Sequence, residues 1–477
     1  MFFNSVDYFI FAPLVIVVFF LLRDRGQRIW LLLASLFFYA VFRVPFTALL
    51  LFSILVTYYA VRGMNRASGA GLRRLYLTLA VISNLAILYF FKYIDFSIQV
   101  FNALFFLEPC DDWYLHPVGV ILPMGISFFS LQAIAYAVDV YRGVIPAGTS
   151  VFQFGLFLSF FPQLVAGPSM RAQDLLDQFA EQHPFRYDNL RVGLGILALG
   201  FYKKTFIADP AGVLVDRVFG EPGAYSWEAM LLSVFLHSMQ IYGDFSGYSD
   251  IAIGTARIMG FRIPMNFNRP FLSHTMTEFW NRWHISLSNW LRDYVYIPLG
   301  GNRVSIPRSY VNVFLTMVVS GIWHGSGANF VIWGLIHASA VVIERFVFSF
   351  ETIRKFYQNR IPGILKILYS YTIFSLAFYW FRAQAVPGIG APADVAWYMA
   401  SRTMELAPGD SLHLPFSLLL SIISLMVVEF VQEKRAHAFD GLLKNNVFYY
   451  FLVLGILSYC LVVYTISDSV PFVYFRF

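Results

Sequence analysis

Residues 45–61 read PFTALLLFSILVTYYAV, residues 62–74 read RGMNRASGAGLRR, and residues 75–94 read LYLTLAVISNLAILYFFKYI. The first block carries no charge, and the third carries only Lys92. The segment between them holds Arg62, Arg66, Arg73 and Arg74. About 20 apolar residues in a helix cross the hydrocarbon of a bilayer. Two such blocks around a basic loop read as two membrane helices joined on the cytoplasmic side, where Lys and Arg collect.

Similar blocks recur at 5–22, 29–42, 118–141, 151–166, 190–207, 228–243, 308–323, 328–349, 364–381, 412–430 and 447–466. Some are short or interrupted, so about ten to twelve crossings plus re-entrant segments are expected. The composition agrees: of 477 residues, 58% are hydrophobic, 19% are aromatic and only 13% are charged, with a mean hydropathy of +0.63. A soluble domain carries about a quarter charged residues. The figures exclude a soluble globular protein, a disordered chain and a disulfide scaffold. The blocks are too long for the alternating strands of a membrane β-barrel. The expected fold is therefore all-α and polytopic, one membrane domain over 1–477 with no linker.

Charge predicts the orientation. Arg23, Arg25 and Arg28 follow the first block, which puts the N-terminus outside. The acidic Glu108, Asp111 and Asp112 suit the outer side. Lys434, Arg435 and Lys444 precede the last block, which puts 467–477 outside as well. The first block lacks a basic n-region and a clear cleavage site, and reads as a retained span. Cys110 and Cys460 lie too far apart to suggest a cluster. A net charge of +6 is too modest to suggest nucleic acid. No fixed-period repeat supports a transporter built of two halves.

Residues 255–303 break the pattern. Arg257, Arg262, Arg269, Arg282, Arg292 and Arg303 face only Glu278 and Asp293. Trp280, Trp283 and Trp290 lie among them, in the run Asn281-Arg282-Trp283-His284-Ile285-Ser286-Leu287-Ser288-Asn289. Helical spacing predicts Trp280, His284 and Leu287 on one face, and a Glu278–Arg282 pair. One reading is an amphipathic helix on the membrane surface, its arginines at lipid headgroups. The other is a vestibule for an anionic ligand, since the guanidinium fork matches phosphate oxygens. The two are compatible.

Downstream, Ser320-Gly321-Ile322-Trp323-His324-Gly325-Ser326-Gly327 places a histidine between glycines at the end of an apolar block. A buried histidine there must be neutral and bonded, or functional. His337 and His237 read as structural. Asp244 and Asp250 could ligate a metal, but beside Gly and Ser they read better as helix caps.

Five stretches together resemble the membrane-bound O-acyltransferase (MBOAT) family. They are Gly125–Gly143 (GISFFSLQAIAYAVDVYRG), Phe160–Pro168 (FFPQLVAGP), Gln240–Met265 (QIYGDFSGYSDIAIGTARIMGFRIPM), Phe279–Asn302 (FWNRWHISLSNWLRDYVYIPLGGN) and Gly321–Gly325 (GIWHG). The resemblance is closest to the bacterial branch that O-acetylates alginate and peptidoglycan, and reaches more distantly to the D-alanyl transferases. It implies a ring of tilted helices around a central funnel, with a family core at about 120–345. It implies that His324 is the family's histidine in Trp-His-Gly, and that His284 is the second one, in Arg-Trp-His. Asn281, Arg282, Trp283, Arg292 and Trp323 become the expected donor contacts. The implied donor is acetyl-CoA, with no tightly bound cofactor and no metal. One departure is Ser326-Gly327-Ala328-Asn329-Phe330, where relatives often read Ala-Gly-Trp-Asn-Phe.

The final residues, Pro471-Phe472-Val473-Tyr474-Phe475-Arg476-Phe477, are similar to the terminal motif of the same branch. That likeness implies a transient acyl carrier at Tyr474; the residues alone equally suit an interfacial aromatic anchor. The implied setting is the bacterial inner membrane. Membrane lipid, an extracytoplasmic SGNH-type acetyltransferase and a polysaccharide acceptor are the implied partners. D-alanyl transfer, a non-catalytic transporter or flippase of an acyl carrier, and a scaffold for an outer-side enzyme are the competing readings.

Overall fold

The computed structural model describes residues 1–146, 148–165, 167–435, 444–466 and 470–473. Among them no strand forms, and β pairing is limited to two isolated bridges, Tyr225 with Asp410 and Val386 with Gly390. The architecture is all-α, a multi-pass membrane protein. Six described helices are long and apolar enough to cross a membrane: Val44–Arg66, Ala70–Lys92, Ala328–Ser349, Gly363–Arg382, Phe416–Lys434 and Asn446–Ile466. Val6–Leu21 and Ile126–Tyr141 are shorter apolar helices.

The chain divides into two compact units, Met1–Leu197 with Ile251–Pro264, and Ala198–Asp250 with Met265–Phe477. In the first, helix Val44–Arg66 buries Leu50, Ser53, Ile54, Thr57, Ala60, Val61 and Met64, the stripe that a 3.6-residue period turns inward. Leu51, Phe52, Leu55 and Tyr59 stay exposed, as a lipid-facing side requires. Polar glue replaces the hydrophobic effect between helices in lipid. Here Ser53 Oγ donates to Asn84 Oδ1 at 2.6 Å, and Asn84 Nδ2 donates to Thr57 Oγ1 at 2.9 Å.

Two expected blocks are interrupted, each for a local reason. Block 151–166 splits into helices Val151–Ser159 and Phe161–Leu164. Pro162 has no N–H to donate and fits only a first helical turn. The Phe161 N–H is satisfied by Ser35 Oγ at 3.1 Å. Block 190–207 falls on helix Tyr187–Tyr202, which widens into a π-helical turn over Lys203–Ala208. Such bulges turn side chains out of the regular helical register, and this one buries two lysines.

In the second unit, helices Ile306–His324 and Ala328–Ser349 form a tight hairpin. Its closeness depends on Gly321. A Cβ there would lie 2.6 Å from the Phe330 carbonyl oxygen and 2.8 Å from Gly334 Cα. Gly321→Ala should therefore cost about 1–3 kcal/mol of stability by overpacking. Gly71→Ala, where nothing lies within 4 Å of the added Cβ, should be neutral or slightly stabilising. Thermal unfolding of the two variants in detergent separates the effects.

Candidate active site

His324 is the last residue of helix Ile306–His324 and is buried. The chain leaves the helix at Gly325, whose missing side chain makes room for Phe330: a Cβ would lie 2.1 Å from Phe330 Cε2. The imidazole is walled by rings. Its centroid lies 4.8 Å from Trp333, 5.3 Å from Phe381 and 5.0 Å from Trp323, all edge-on. Trp323 in turn lies 5.9 Å from His284. The two sequence-predicted histidines thus flank one tryptophan.

His284 does not share a helical face with Trp280 and Leu287, as the spacing predicts. Helix Met276–Arg282 ends at Trp283, and His284 takes φ +43°, ψ +55° before helix Ile285–Leu291 begins. A left-handed non-glycine residue costs about 1–2 kcal/mol. Asn266 offsets that cost by stitching the corner together. Its carbonyl accepts from the Ile285 N–H at 2.9 Å, and its Oδ1 accepts from Ser286 N at 3.1 Å and Ser286 Oγ at 2.9 Å. His284 Nδ1 lies 3.3 Å from the same Oδ1. Burial pushes the His284 pKa down to about 3, so the ring is neutral at physiological pH.

A cavity of about 290 Å³ opens beside this corner. Asn281 and Arg292, two of the residues named from the sequence, line it together with Trp280, Ser288, Asn289, Tyr296, Asn302, Thr316, Ser320 and Arg345. Arg282, Trp283 and Trp323 are not among its lining residues. Arg282 makes the expected pair with Glu278 at 2.8 Å and a second with Glu433 at 2.9 Å. Trp283 packs against Phe374, Phe279 and Phe267. Arg292 is itself held by Asp293 at 2.7 Å. Arg345, which the sequence reading passed over, lines the cavity without an ion pair among the described residues.

Glu344, next to it, is buried and caps the neighbouring helix. Its carboxylate accepts from Met276 N at 2.6 Å, Thr277 N at 3.0 Å and Thr277 Oγ1 at 2.9 Å. A carboxylate at a helix N-terminus is favourable, and this one fixes the helix that carries Trp280 and Asn281. Ser320, on the cavity wall, lies one helical turn before His324. Trp280 connects the wall inward: its ring lies 5.9 Å from Trp333 and 5.1 Å from His337. His337 is fully buried, 4.6 Å from Trp333, and neither ring nitrogen has a hydrogen-bond partner among the described residues. His237, also buried, bonds Gln240 Oε1 through Nδ1 at 2.8 Å.

Asp244 and Asp250 are not helix caps. Both sit inside the continuous helix Trp227–Ile258, because two buried lysines on the π-helical turn satisfy them there. Lys203 pairs with Asp250 at 2.8 Å, and Lys204 bridges Asp209 and Asp244 at 2.7 Å each. The other carboxylate oxygen of Asp244 accepts the Val473 N–H at 2.6 Å. Phe472 is buried against Phe245 at 5.5 Å and Tyr248 at 5.1 Å. Phe245 packs edge-on against His284 at 4.6 Å. The C-terminal motif is therefore docked beside His284 through Phe472 and Val473; Tyr474 lies outside the described residues.

Residues 142–381 match the family model described as MBOAT, membrane-bound O-acyltransferase family. The chain belongs to this family of acyl-transferring membrane enzymes. Among named relatives, it is 41% identical over 346 residues to the probable alginate O-acetylase AlgI of Pseudomonas aeruginosa, covering 72% of this chain and 65% of that one. It is 38% identical over 406 residues to the probable alginate O-acetylase AlgI of Azotobacter vinelandii, covering 83% and 76%. It is 36% identical over 409 residues to the peptidoglycan O-acetyltransferase of Helicobacter pylori, covering 79% and 76%.

Proposed function

We propose that this protein is a membrane O-acetyltransferase that passes acetyl groups from acetyl-CoA toward a polysaccharide outside the bacterial inner membrane. One observation carries the reading. A row of packed rings runs from His324, one helical turn beyond Ser320 on the cavity wall, through Trp323, His284 and Phe245 to Phe472 of the C-terminal motif. The names of the relatives support an alginate-like exopolysaccharide or peptidoglycan as the acceptor.

In this mechanism the donor occupies the cavity, with Arg345 and Arg292 toward its phosphates. His324 removes the proton from an attacking hydroxyl, a role worth about 10²- to 10⁴-fold. Tyr474 supplies that hydroxyl. Its oxygen bonds the acetyl carbon as the thioester C–S bond breaks, and the proton held by His324 leaves with the CoA thiolate. The neutral His284 ring steadies the developing oxyanion. The acetyl-tyrosine then gives its acetyl group to a hydroxyl of an SGNH-type partner or of the polymer, and regains its proton.

The test uses the full-length protein in vesicles given acetyl-CoA labelled in the acetyl group. Label should appear on the protein at Tyr474 and be released by hydroxylamine. Tyr474→Phe keeps an aromatic anchor and should reduce the label to background. Equal labelling of that variant would overturn the carrier role. Donor transport without any acetyl-protein would overturn the enzyme reading as a whole.

A further inference from the structure

A polar cavity of about 460 Å³ lies wholly in the first unit, and none of its lining residues is one assigned to catalysis. Gln178, His183, Arg186, Asn189, Arg257 and Arg262 line it, and Glu181 is its one acid. We propose that it binds the phosphate of an anionic phospholipid headgroup.

Three guanidiniums face this space, and none makes an ion pair among the described residues. Arg257 is the most telling. It lies in the last turn of helix Trp227–Ile258, where a basic residue ordinarily serves the terminal carbonyls. Here the turn closes by itself: Gly260 N donates to Arg257 O at 3.0 Å, and Phe261 N donates to Ala256 O at 2.9 Å. Arg257 Nε is buried with no hydrogen-bond partner among the described residues. A buried donor left unmatched is costly, and more so when charged, so a ligand oxygen at this point offsets a cost built into the fold. A guanidinium fork matches phosphate geometry better than a lysine does.

The cavity is also preformed. Gln178 joins its two walls, accepting from Arg262 N at 2.7 Å and donating to Arg262 O at 3.0 Å. Gly260, at φ +94°, leaves room for the His183 ring, since a Cβ would lie 3.0 Å from its Nδ1. Phe261 locks the floor at 4.1 Å from His183 and 5.5 Å from Phe179.

Two observations favour a lipid over a soluble phosphate. Phe185 and Tyr187, next to the cavity residues, are large exposed aromatics, the residue types that sit at headgroup level. The cavity also belongs to the end of this unit that carries the basic segment Arg23–Arg28, where helix Arg25–Ala40 begins: Gln27 Nε2 donates to His183 O at 3.4 Å and Arg28 Nη1 to Phe179 O at 3.5 Å. By its charge that segment faces the anionic cytoplasmic leaflet.

The experiment measures thermal unfolding of the full-length protein in a neutral detergent, with phosphatidylglycerol, phosphatidylcholine or inorganic pyrophosphate added. Phosphatidylglycerol should raise the midpoint by several degrees, and phosphatidylcholine should not. Arg262→Gln, at an exposed position, and Arg257→Gln should each reduce the shift, and together should abolish it. Arg74→Gln, near the start of helix Ala70–Lys92, should keep it. An equal shift in the Arg257→Gln/Arg262→Gln variant, or no shift in the parent, overturns the site. A shift with pyrophosphate but not with phosphatidylglycerol overturns the lipid assignment.

Discussion

His324→Gln should lower acetyl transfer by about 10²- to 10⁴-fold, the usual worth of a general base, while protein levels in the membrane stay normal. Glutamine keeps most of the volume and a polar end but cannot take a proton near neutral pH. The ring cage of Trp323, Trp333 and Phe381 therefore stays filled. His324→Ala would add a cavity, and large-to-small changes in a packed core cost stability. Comparing the two separates lost chemistry from lost packing. Polymer acetylation in cells and acetyl-protein formation in vesicles are the two readouts. Normal values in both, at normal protein levels, would remove His324 from the mechanism. A scaffold predicts that outcome, and a transporter predicts donor movement without any acetyl-protein.

At His284 the same logic needs a different substitution, because backbone and chemistry are entangled there. The residue holds a left-handed conformation, which asparagine tolerates better than alanine. His284→Asn should fold normally and lose activity in kcat more than in KM if the ring stabilises charge in the transition state.

The helical membrane fold was legible in the sequence because each apolar block carries its own evidence of length and of flanking charge. His324 stood out as a candidate because glycines and Trp323 flank it, and the structure buries it. What stayed hidden depends on partners far along the chain. Arg282 was expected both to pair with Glu278 and to contact the donor, but its second acid, Glu433, lies 151 residues away. The corner at His284 is held by Asn266, which no helical periodicity points to. Arg345 looked like an ordinary basic residue near the end of a span, and only the fold turns it into the cavity. Lys203 and Lys204 stood near the end of an apparent span, and Asp244 and Asp250 looked like caps. Neither pair of positions suggested that the four charges meet.

Lys204→Met should be the most destabilising single change, at about 3–5 kcal/mol, the cost of leaving buried charge without its partner. Lys204 bridges Asp209 and Asp244, and the Asp244 side chain is only 1% exposed. The damage should reach function through the tail, since Asp244 also accepts the Val473 N–H. An Asp244 repelled by Asp209 once Lys204 is gone loosens that contact, and with it the seat of Phe472 against Phe245. Carboxypeptidase should therefore trim Lys204→Met past Val473 in the detergent-solubilised protein, at a temperature where digestion of the parent does not pass Val473. Asp244→Asn isolates the contact from the charge. Asparagine keeps an oxygen for Val473 and leaves Lys204 paired with Asp209, so its tail should stay protected. The double variant Lys204→Met/Asp244→Asn should recover part of the stability lost in Lys204→Met, because one unpaired carboxylate has gone. Non-additivity of this sign is the signature of a buried ion pair. If the losses instead add and the tail resists digestion in all three variants, the lysine is only packing material and the clamp on the C-terminal motif does not exist.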